Sequence, residues 1–140
     1  MRYIVVAALL SLLSACSDNA DEPSAPTQSP DAPLEIVITQ FPKGYMGRWG
    51  MNANDCVPDA SDAKGLMSVQ GSLVKFYESM GTMRNGKRVT LNSLTSDFEM
   101  AGEGQKWQIR NTFELTDDRT GLTRTDTTSG ERFVYTRCPA

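Results

Sequence analysis

The segment LTSDFEMAGEGQKWQIRNTFEL, from Leu94 to Leu115, decides the fold. Apolar and polar residues alternate along both of its halves, and Gly102-Glu103-Gly104 separates the halves as a turn. The residues expected to share the core side are Leu94, Ser96, Phe98 and Met100, then Trp107, Ile109, Phe113 and Leu115, with Asn111 interrupting the second set. A period of two is typical of strands with one buried and one solvated face. The segment therefore predicts a β-hairpin.

Short apolar runs continue this pattern on both sides of the hairpin, separated by turn residues such as Gln70-Gly71-Ser72 and residues 117–121. Further strands are expected at residues 45–51, 66–69, 73–78, 80–83, 87–91, 122–127 and 132–138. Asn85-Gly86 is a two-residue hairpin signal, and no segment keeps the apolar spacing of a long helix. Seven or eight short strands at roughly ten-residue spacing predict an all-β domain folded as a small antiparallel meander barrel. A two-sheet β-sandwich is the alternative.

Residues 1–15 have the pattern of a secretory signal peptide, with a positive charge at Arg2 followed by a short apolar run. That run is too short to cross a bilayer, which takes about 20 residues in a helix. It ends in Leu13-Ser14-Ala15-Cys16, which resembles the lipobox of bacterial lipoproteins. The resemblance implies cleavage before Cys16 and lipid on its sulfur, with a further acyl chain such as palmitate on the new amino group. An ordinary signal peptide is the alternative.

Residues 16–33 are expected to form a lipidated N-terminus and a disordered linker, because they contain no aromatic residue and no aliphatic residue larger than alanine. Ser17 follows the cysteine, and in the enterobacterial pattern serine at that place permits sorting to the outer membrane. We therefore expect a lipid anchor in the outer membrane, facing the periplasm, rather than in the inner membrane. Residues 34–140 are expected to form a single β domain.

Charge argues against nucleic acid as a partner. Four of the 17 acidic residues and one of the 14 basic residues precede residue 34, so the remainder carries 13 of each. A nucleic-acid-binding domain is expected to have an excess of basic residues on one face. The composition of the folded part offers no such excess.

The chain contains no histidine, which excludes Ser-His-Asp and Cys-His catalysis and histidine-ligated metals. No catalytic residue, metal site or cofactor is therefore predicted. Paired carboxylates could still cleave glycosidic bonds. The candidates are Glu78, Asp97, Glu99, Glu103 and Asp126. Asp97 and Glu99 are expected on the solvated face of their strand.

Cys56 and Cys138 are the cysteines that remain after Cys16. In a chain exported to an oxidising compartment they are expected to form a disulfide, which would join the first strand region to the last. A pair of free thiols is the alternative. Two cysteines without a histidine are too few ligands for a structural zinc site.

The tripeptide Gly47-Arg48-Trp49 matches the G-x-W motif of lipocalins, in which the tryptophan closes one barrel end and a late-strand arginine packs over it. The resemblance implies a barrel-end role for Trp49, with Arg137 or Arg132 as the arginine. The motif also occurs in small barrel proteins that inhibit bacterial metalloproteases. Core packing is the simplest interpretation of both Trp49 and Trp107.

Residues 41–138 as a whole look like a group of uncharacterised alphaproteobacterial envelope lipoproteins. The segments that carry this resemblance are Gly47-Arg48-Trp49-Gly50, Asp55-Cys56, Phe76-Tyr77-Glu78, Gly102-Glu103-Gly104-Gln105-Lys106-Trp107 and Arg137-Cys138. The resemblance implies a fold and a disulfide, and it implies no activity.

The expected function is that of a membrane-anchored, non-enzymatic module that binds another envelope protein, for example as an inhibitor. A lipocalin-like carrier of a small apolar ligand is the second hypothesis, and a carboxylate-dependent hydrolase of envelope sugars is the third. An enclosed apolar cavity would favour the carrier. Two carboxylates in one cleft would favour the hydrolase, and a filled barrel with an exposed apolar patch would favour the binding module.

Overall fold

This computed structural model describes residues 35–140, which contain nine β-strands. They are β1 (Ile36–Ile38), β2 (Gly47–Gly50), β3 (Met67–Gln70), β4 (Leu73–Lys75), β5 (Ser79–Arg88), β6 (Ser93–Gly102), β7 (Gln105–Leu115), β8 (Gly121–Asp126) and β9 (Arg132–Arg137). Two short 3₁₀ helices, Lys43–Tyr45 and Asn54–Cys56, flank β2. The predicted signal peptide, the predicted lipidation of Cys16 and the predicted linker at residues 16–33 lie outside the described residues.

Strands β2 to β9 form a closed eight-stranded barrel in which every strand is antiparallel to its neighbours in the chain. The pairing of β9 with β2 aligns Arg137 with Trp49 and closes the cylinder. β1 lies outside this ring and pairs with the end of β5. The predicted meander barrel is confirmed, and the closed pairing excludes the β-sandwich.

The centre of the barrel is filled by aromatic side chains. Phe41 enters it from the segment before β2, where its backbone N–H donates to the carbonyl of Gly71 at 2.8 Å. Its ring stacks on Phe98 at 5.9 Å between centroids and meets Phe113 edge-on at 5.3 Å. All three rings are buried. An eight-stranded barrel is narrow enough for its own side chains to fill it, and this one is solid at its centre.

The predicted hairpin at Asn85-Gly86 is wrong, because β5 runs without a turn through both residues. Asn85 has a φ of +48°, and the register of β5 against β6 shifts between Arg84 and Lys87. This is a β-bulge, which accepts the same left-handed residues as a tight turn. A Cβ at Gly86 would lie 2.7 Å from the carbonyl oxygen of Ile38, so glycine also lets β1 approach.

The sheet differs from the prediction in two further ways. β1 was not predicted, because it is short and largely exposed and so shows no alternation. β5, β6 and β7 have 10, 10 and 11 residues, whereas short strands were expected. β8 has only six residues, so the hairpin of β6 and β7 extends beyond the end of β8. This difference in strand length shapes one end of the barrel.

The predicted turn before β8 is built around Asp118. Its carboxylate accepts hydrogen bonds from the hydroxyl of Thr116 and from the backbone N–H and hydroxyl of Thr120. The hydrogen bond from Thr116, followed by those from Thr120, lowers the pKa of Asp118 from 3.8 to about 2. A carboxyl group whose pKa is lower in the folded state contributes stability above its unfolded pKa and loses it as the pH falls through the folded value.

We therefore expect the stability difference between the wild type and Asp118→Asn to be largest at neutral pH and to shrink as the pH falls from 3.8 to about 2. Urea unfolding measured at several pH values tests this. Asp117→Asn removes the same charge one residue earlier and serves as the control. A difference between wild type and Asp118→Asn that stays constant over this range would contradict the role of Asp118.

Candidate functional site

One end of the barrel is closed by Trp49 and Arg137. Trp49 is fully buried, and its indole N–H donates to the carbonyl of Tyr45 at 2.8 Å. The guanidinium carbon of Arg137 lies 4.0 Å from the centroid of the Trp49 ring, within the range of a cation–π contact. Arg137 also donates to the carbonyls of Met46 and Arg119, each at 2.9 Å. This end is thus sealed by a stacked pair of side chains, each of which also donates hydrogen bonds to backbone carbonyls.

Burial governs the ionisation of the groups at this closed end. It raises the pKa of the Tyr45 phenol to about 12, and the hydroxyl has no hydrogen-bond partner among the described residues. Burial, with a smaller contribution from the charge of Arg119, lowers the pKa of Arg137. Arg132, the other predicted candidate, lies exposed at the start of β9, where it pairs with Thr125. Arg137 therefore occupies the position over Trp49.

The sulfur atoms of Cys56 and Cys138 lie 1.99 Å apart, which is the length of a disulfide bond. Cys56 ends the 3₁₀ helix that follows β2, and Cys138 comes directly after β9. The backbone N–H of Cys138 also donates to the carbonyl of Arg48 at 2.9 Å. The disulfide thus joins the segments that directly follow β2 and β9, the two strands whose pairing closes the barrel.

The opposite end of the barrel opens into a cleft of about 350 Å³. β8 pairs with β7 only from Asn111 to Leu115, whereas β6 pairs with β7 along its whole length. The first half of β7 therefore stands beside the tip of the β8–β9 hairpin without a neighbouring strand on that side. The apolar and aromatic side chains lining the cleft are Met51, Leu66, Phe76, Met100, Trp107, Ile109, Phe133 and Tyr135.

Trp107 is 40% exposed, so its predicted place in the core is wrong. It lies opposite Met100 in the β6–β7 hairpin. It is on the same face of β7 as Phe113, which points into the barrel centre. The alternation correctly predicted this face. No strand covers β7 at this level, so the indole lies at the cleft and not in the packed centre.

Arg124 is the most unusual side chain at the open end. It belongs to β8 and is only 9% exposed, with its guanidinium carbon 4.1 Å from the ring centroid of Phe133 and 4.9 Å from that of Phe76. Its Nη1 donates to Oδ1 of Asn111 at 3.2 Å. Its Nε has no hydrogen-bond partner, and no carboxylate of residues 35–140 lies within 4.0 Å of the guanidinium.

Asn111, the polar residue that interrupts the apolar side of β7, is fully buried beside Arg124. Its Oδ1 accepts the hydrogen bond from Arg124, and its Nδ2 has no partner in the described part of the chain. The two side chains thus bring several donors together, and Oδ1 of Asn111 is the one acceptor that the pair itself supplies. Sequence reasoning did not single out Arg124. The sequence did hold a signal for Arg124. It is two residues after Leu122 and so lies on the same face of β8, and a basic residue on a core face is rare.

Two carboxylates, Asp126 and Glu131, line the rim of the cleft. Oδ1 of Asp126 accepts from the backbone N–H groups of Thr128 and Ser129 at 2.8 and 3.0 Å, and Oε2 of Glu131 lies 3.5 Å from the hydroxyl of Ser129. These contacts hold the β8–β9 turn. Asp126 had been a candidate of the hydrolase hypothesis, and Glu131 had not.

The remaining carboxylate candidates lie away from the cleft. Asp97 forms a salt bridge with Arg110, and Glu99 forms one with Arg84; both carboxylates lie on the outer face of the β6–β7 hairpin. The hydrogen bond from the arginine is in each case the main reason why the pKa of the carboxyl group is lowered. Their predicted solvated position is confirmed. Glu78 and Glu103 are not among the residues that line the cleft.

Comparison with known proteins adds no relative, since no protein-family model matches the chain and no curated protein or solved structure matches it significantly. Among residues 35–140, no group of three or more histidine, cysteine, aspartate or glutamate side chains could hold a metal ion. The same residues contain no helix that is long and apolar enough to span a bilayer.

Proposed function

We propose that this protein is a lipid-anchored, non-enzymatic binding protein of the bacterial envelope, and that it binds its ligand at the open end of the barrel. The observation that carries the proposal is the cleft between Trp107 and Arg124, in which an exposed indole stands near a buried and incompletely paired guanidinium. Binding sites combine apolar walls with a few convergent polar groups in this way.

The filled barrel supports a shallow binding site rather than an internal one. Phe41, Phe98 and Phe113 occupy the centre, and Trp49 closes the far end. A lipocalin-like carrier encloses its ligand inside the barrel. The cleft at the open end has a volume of about 350 Å³, so it suits a small molecule or one projecting group of a larger partner.

The anchor and the linker support an envelope location. The lipobox-like Leu13-Ser14-Ala15-Cys16 implies attachment at Cys16, and two or three acyl chains hold a protein to a membrane far more firmly than one. A polar linker of residues 17–33 suits a module that meets its ligand at some distance from the bilayer. The outer membrane, facing the periplasm, is the location we propose.

The hydrolase hypothesis is retained as the second candidate, because Asp126 and Glu131 line the same cleft. Glycoside hydrolysis needs one carboxyl group that donates a proton and a second that acts as base or nucleophile. The hydrogen bonds that Asp126 accepts from two backbone N–H groups favour its ionised form and a structural role in the turn. We therefore rank binding above hydrolysis.

Affinity enrichment from envelope extract tests the proposal. We expect the tagged wild-type protein to enrich a specific small molecule or protein, identified by mass spectrometry, and the Trp107→Ala variant to lose it. Tyr77→Ala is the matched control, because Tyr77 is 46% exposed but does not line the cleft. Equal enrichment by all three proteins, or turnover of envelope sugars that depends on Asp126, would contradict the proposal.

A further inference from the structure

We infer that the cleft binds a small carboxylate that carries an apolar group, with the carboxylate on Arg124 and the apolar group against Trp107, Ile109 and Phe133. This inference rests on the proposed function and specifies the ligand of that site. It follows from which hydrogen-bonding groups at the open end are occupied and which are not.

The free groups of Arg124 form one edge of its guanidinium. Nη1 is occupied by Asn111, whereas Nε is unpartnered and no other hydrogen bond from the guanidinium reaches a described residue. Nε and Nη2 point their N–H bonds in parallel, and this is the fork to which the two oxygens of a carboxylate bind together. The unpartnered edge therefore has the geometry that suits a bidentate anion, and a carboxylate reaches the buried Nε only if the side chains that cover it give way.

The surroundings make an acceptor-only ligand the best complement. Arginine stays protonated at any pH at which proteins fold, and a buried polar group without a partner is costly. The faces of Phe76 and Phe133 stabilise the cation without accepting its N–H groups. Nδ2 of Asn111 is one more unpartnered donor beside Arg124, although it is buried and Asn111 does not line the cleft. Donors converge here, and the missing partner is an acceptor.

The charge at the rim favours a carboxylate over a phosphate. Asp126 and Glu131 line the cleft and Lys64 is the second basic residue there, so the lining as a whole is not positive. A dianion would meet two carboxylates near a single free guanidinium edge. A monoanion satisfies that edge with less repulsion. The apolar walls next to Arg124 then select acids that carry a hydrocarbon or aromatic group.

Calorimetric titration of the full-length purified protein with 3-phenylpropionate and with its neutral amide, 3-phenylpropionamide, tests this inference at pH 7. A bidentate, charge-assisted contact in a partly desolvated site implies that the acid binds roughly tenfold to a hundredfold more tightly than the amide. Arg124→Met should abolish this preference, and Arg124→Lys should retain only part of it because lysine lacks the fork. Trp107→Ala should weaken the binding of acid and amide alike.

The comparison of acid with amide on the wild-type protein decides the matter even if an Arg124 variant does not fold. Equal affinity for the two would overturn the carboxylate specificity and leave the cleft as a binding site. Absence of binding by 3-phenylpropionate would overturn the inference, while enrichment that depends on Trp107 would still support the proposed function. Unchanged preference for the acid in Arg124→Met would assign the anion to another residue and overturn the inference as well.

Discussion

Replacement of Cys56 and Cys138 by alanine is expected to lower the free energy of unfolding by roughly 4.5 kcal/mol in the chain-entropy model. The two residues are 82 positions apart, so their bond removes a large loop-closure entropy from the unfolded chain. In the folded protein the bond joins the segments that follow β2 and β9, the strand pair that completes the ring. The remaining contacts of a small domain leave only a narrow margin of stability.

Urea unfolding of the oxidised wild type, the reduced wild type and the double alanine variant measures this effect. We expect each single alanine variant to be about as unstable as the double variant, because one sulfur cannot form the bond alone. The reduced wild type should resemble them. A loss below about 1 kcal/mol, the size of an ordinary point substitution, would contradict the role we assign to the bond.

Trp49→Ala has the next largest expected effect, a loss of about 3–5 kcal/mol, as for other buried tryptophans. The side chain is fully buried, so the substitution leaves a cavity at the closed end of the barrel. It also removes the hydrogen bond to the carbonyl of Tyr45 and the ring that lies 4.0 Å from the guanidinium carbon of Arg137. That guanidinium would keep its carbonyl partners and lose its aromatic contact.

The second tryptophan provides the control for this prediction. Trp107 is 40% exposed at the open end, so Trp107→Ala should cost about 1 kcal/mol or less. Urea unfolding of the two variants side by side measures the difference. Similar losses in both would contradict the distinction between a sealed end and an open end, and so would a Trp49→Ala variant as stable as the wild type.

Together these results would separate the two ends of the barrel by role. The closed end, with Trp49, Arg137 and the disulfide close to the same strand pair, holds the ring together. Towards the open end the fold leaves Arg124 and Asn111 incompletely paired, whereas the closed end has one such group, the Tyr45 hydroxyl. Unsatisfied buried groups are rare in folded proteins, and a binding site is one of the places where they are retained.

Much of the fold could be predicted from local patterns. The alternation from Leu94 to Leu115 identifies a hairpin because side chains of a strand point to opposite faces in turn. The turns around Gly71, Gly102-Glu103-Gly104 and residues 117–121 are where they were expected. The spacing of these turns is enough to predict an antiparallel meander, since neighbouring strands in the chain then become neighbours in the sheet.

Asn85-Gly86 marks where local reasoning fails on the fold. A bulge and a tight turn both require residues that tolerate positive φ, so the dipeptide fits either one. The choice depends on a distant strand, because β6 pairs with β5 on both sides of Asn85 and keeps the chain extended. Nothing within a few residues of Asn85 carries that information.

The candidate site depends even more on distant contacts. The amino-acid sequence places Trp107, Asn111 and Arg124 on inward faces of their strands, because alternation requires only the residues next to each of them. Their meeting depends on the register of β7 against β8, which pairs Asn111 with Asp126 and leaves the start of β7 without a neighbour. Register and unequal strand length are properties of the assembled barrel, so the cleft and its unpartnered guanidinium emerge only once the strands have paired.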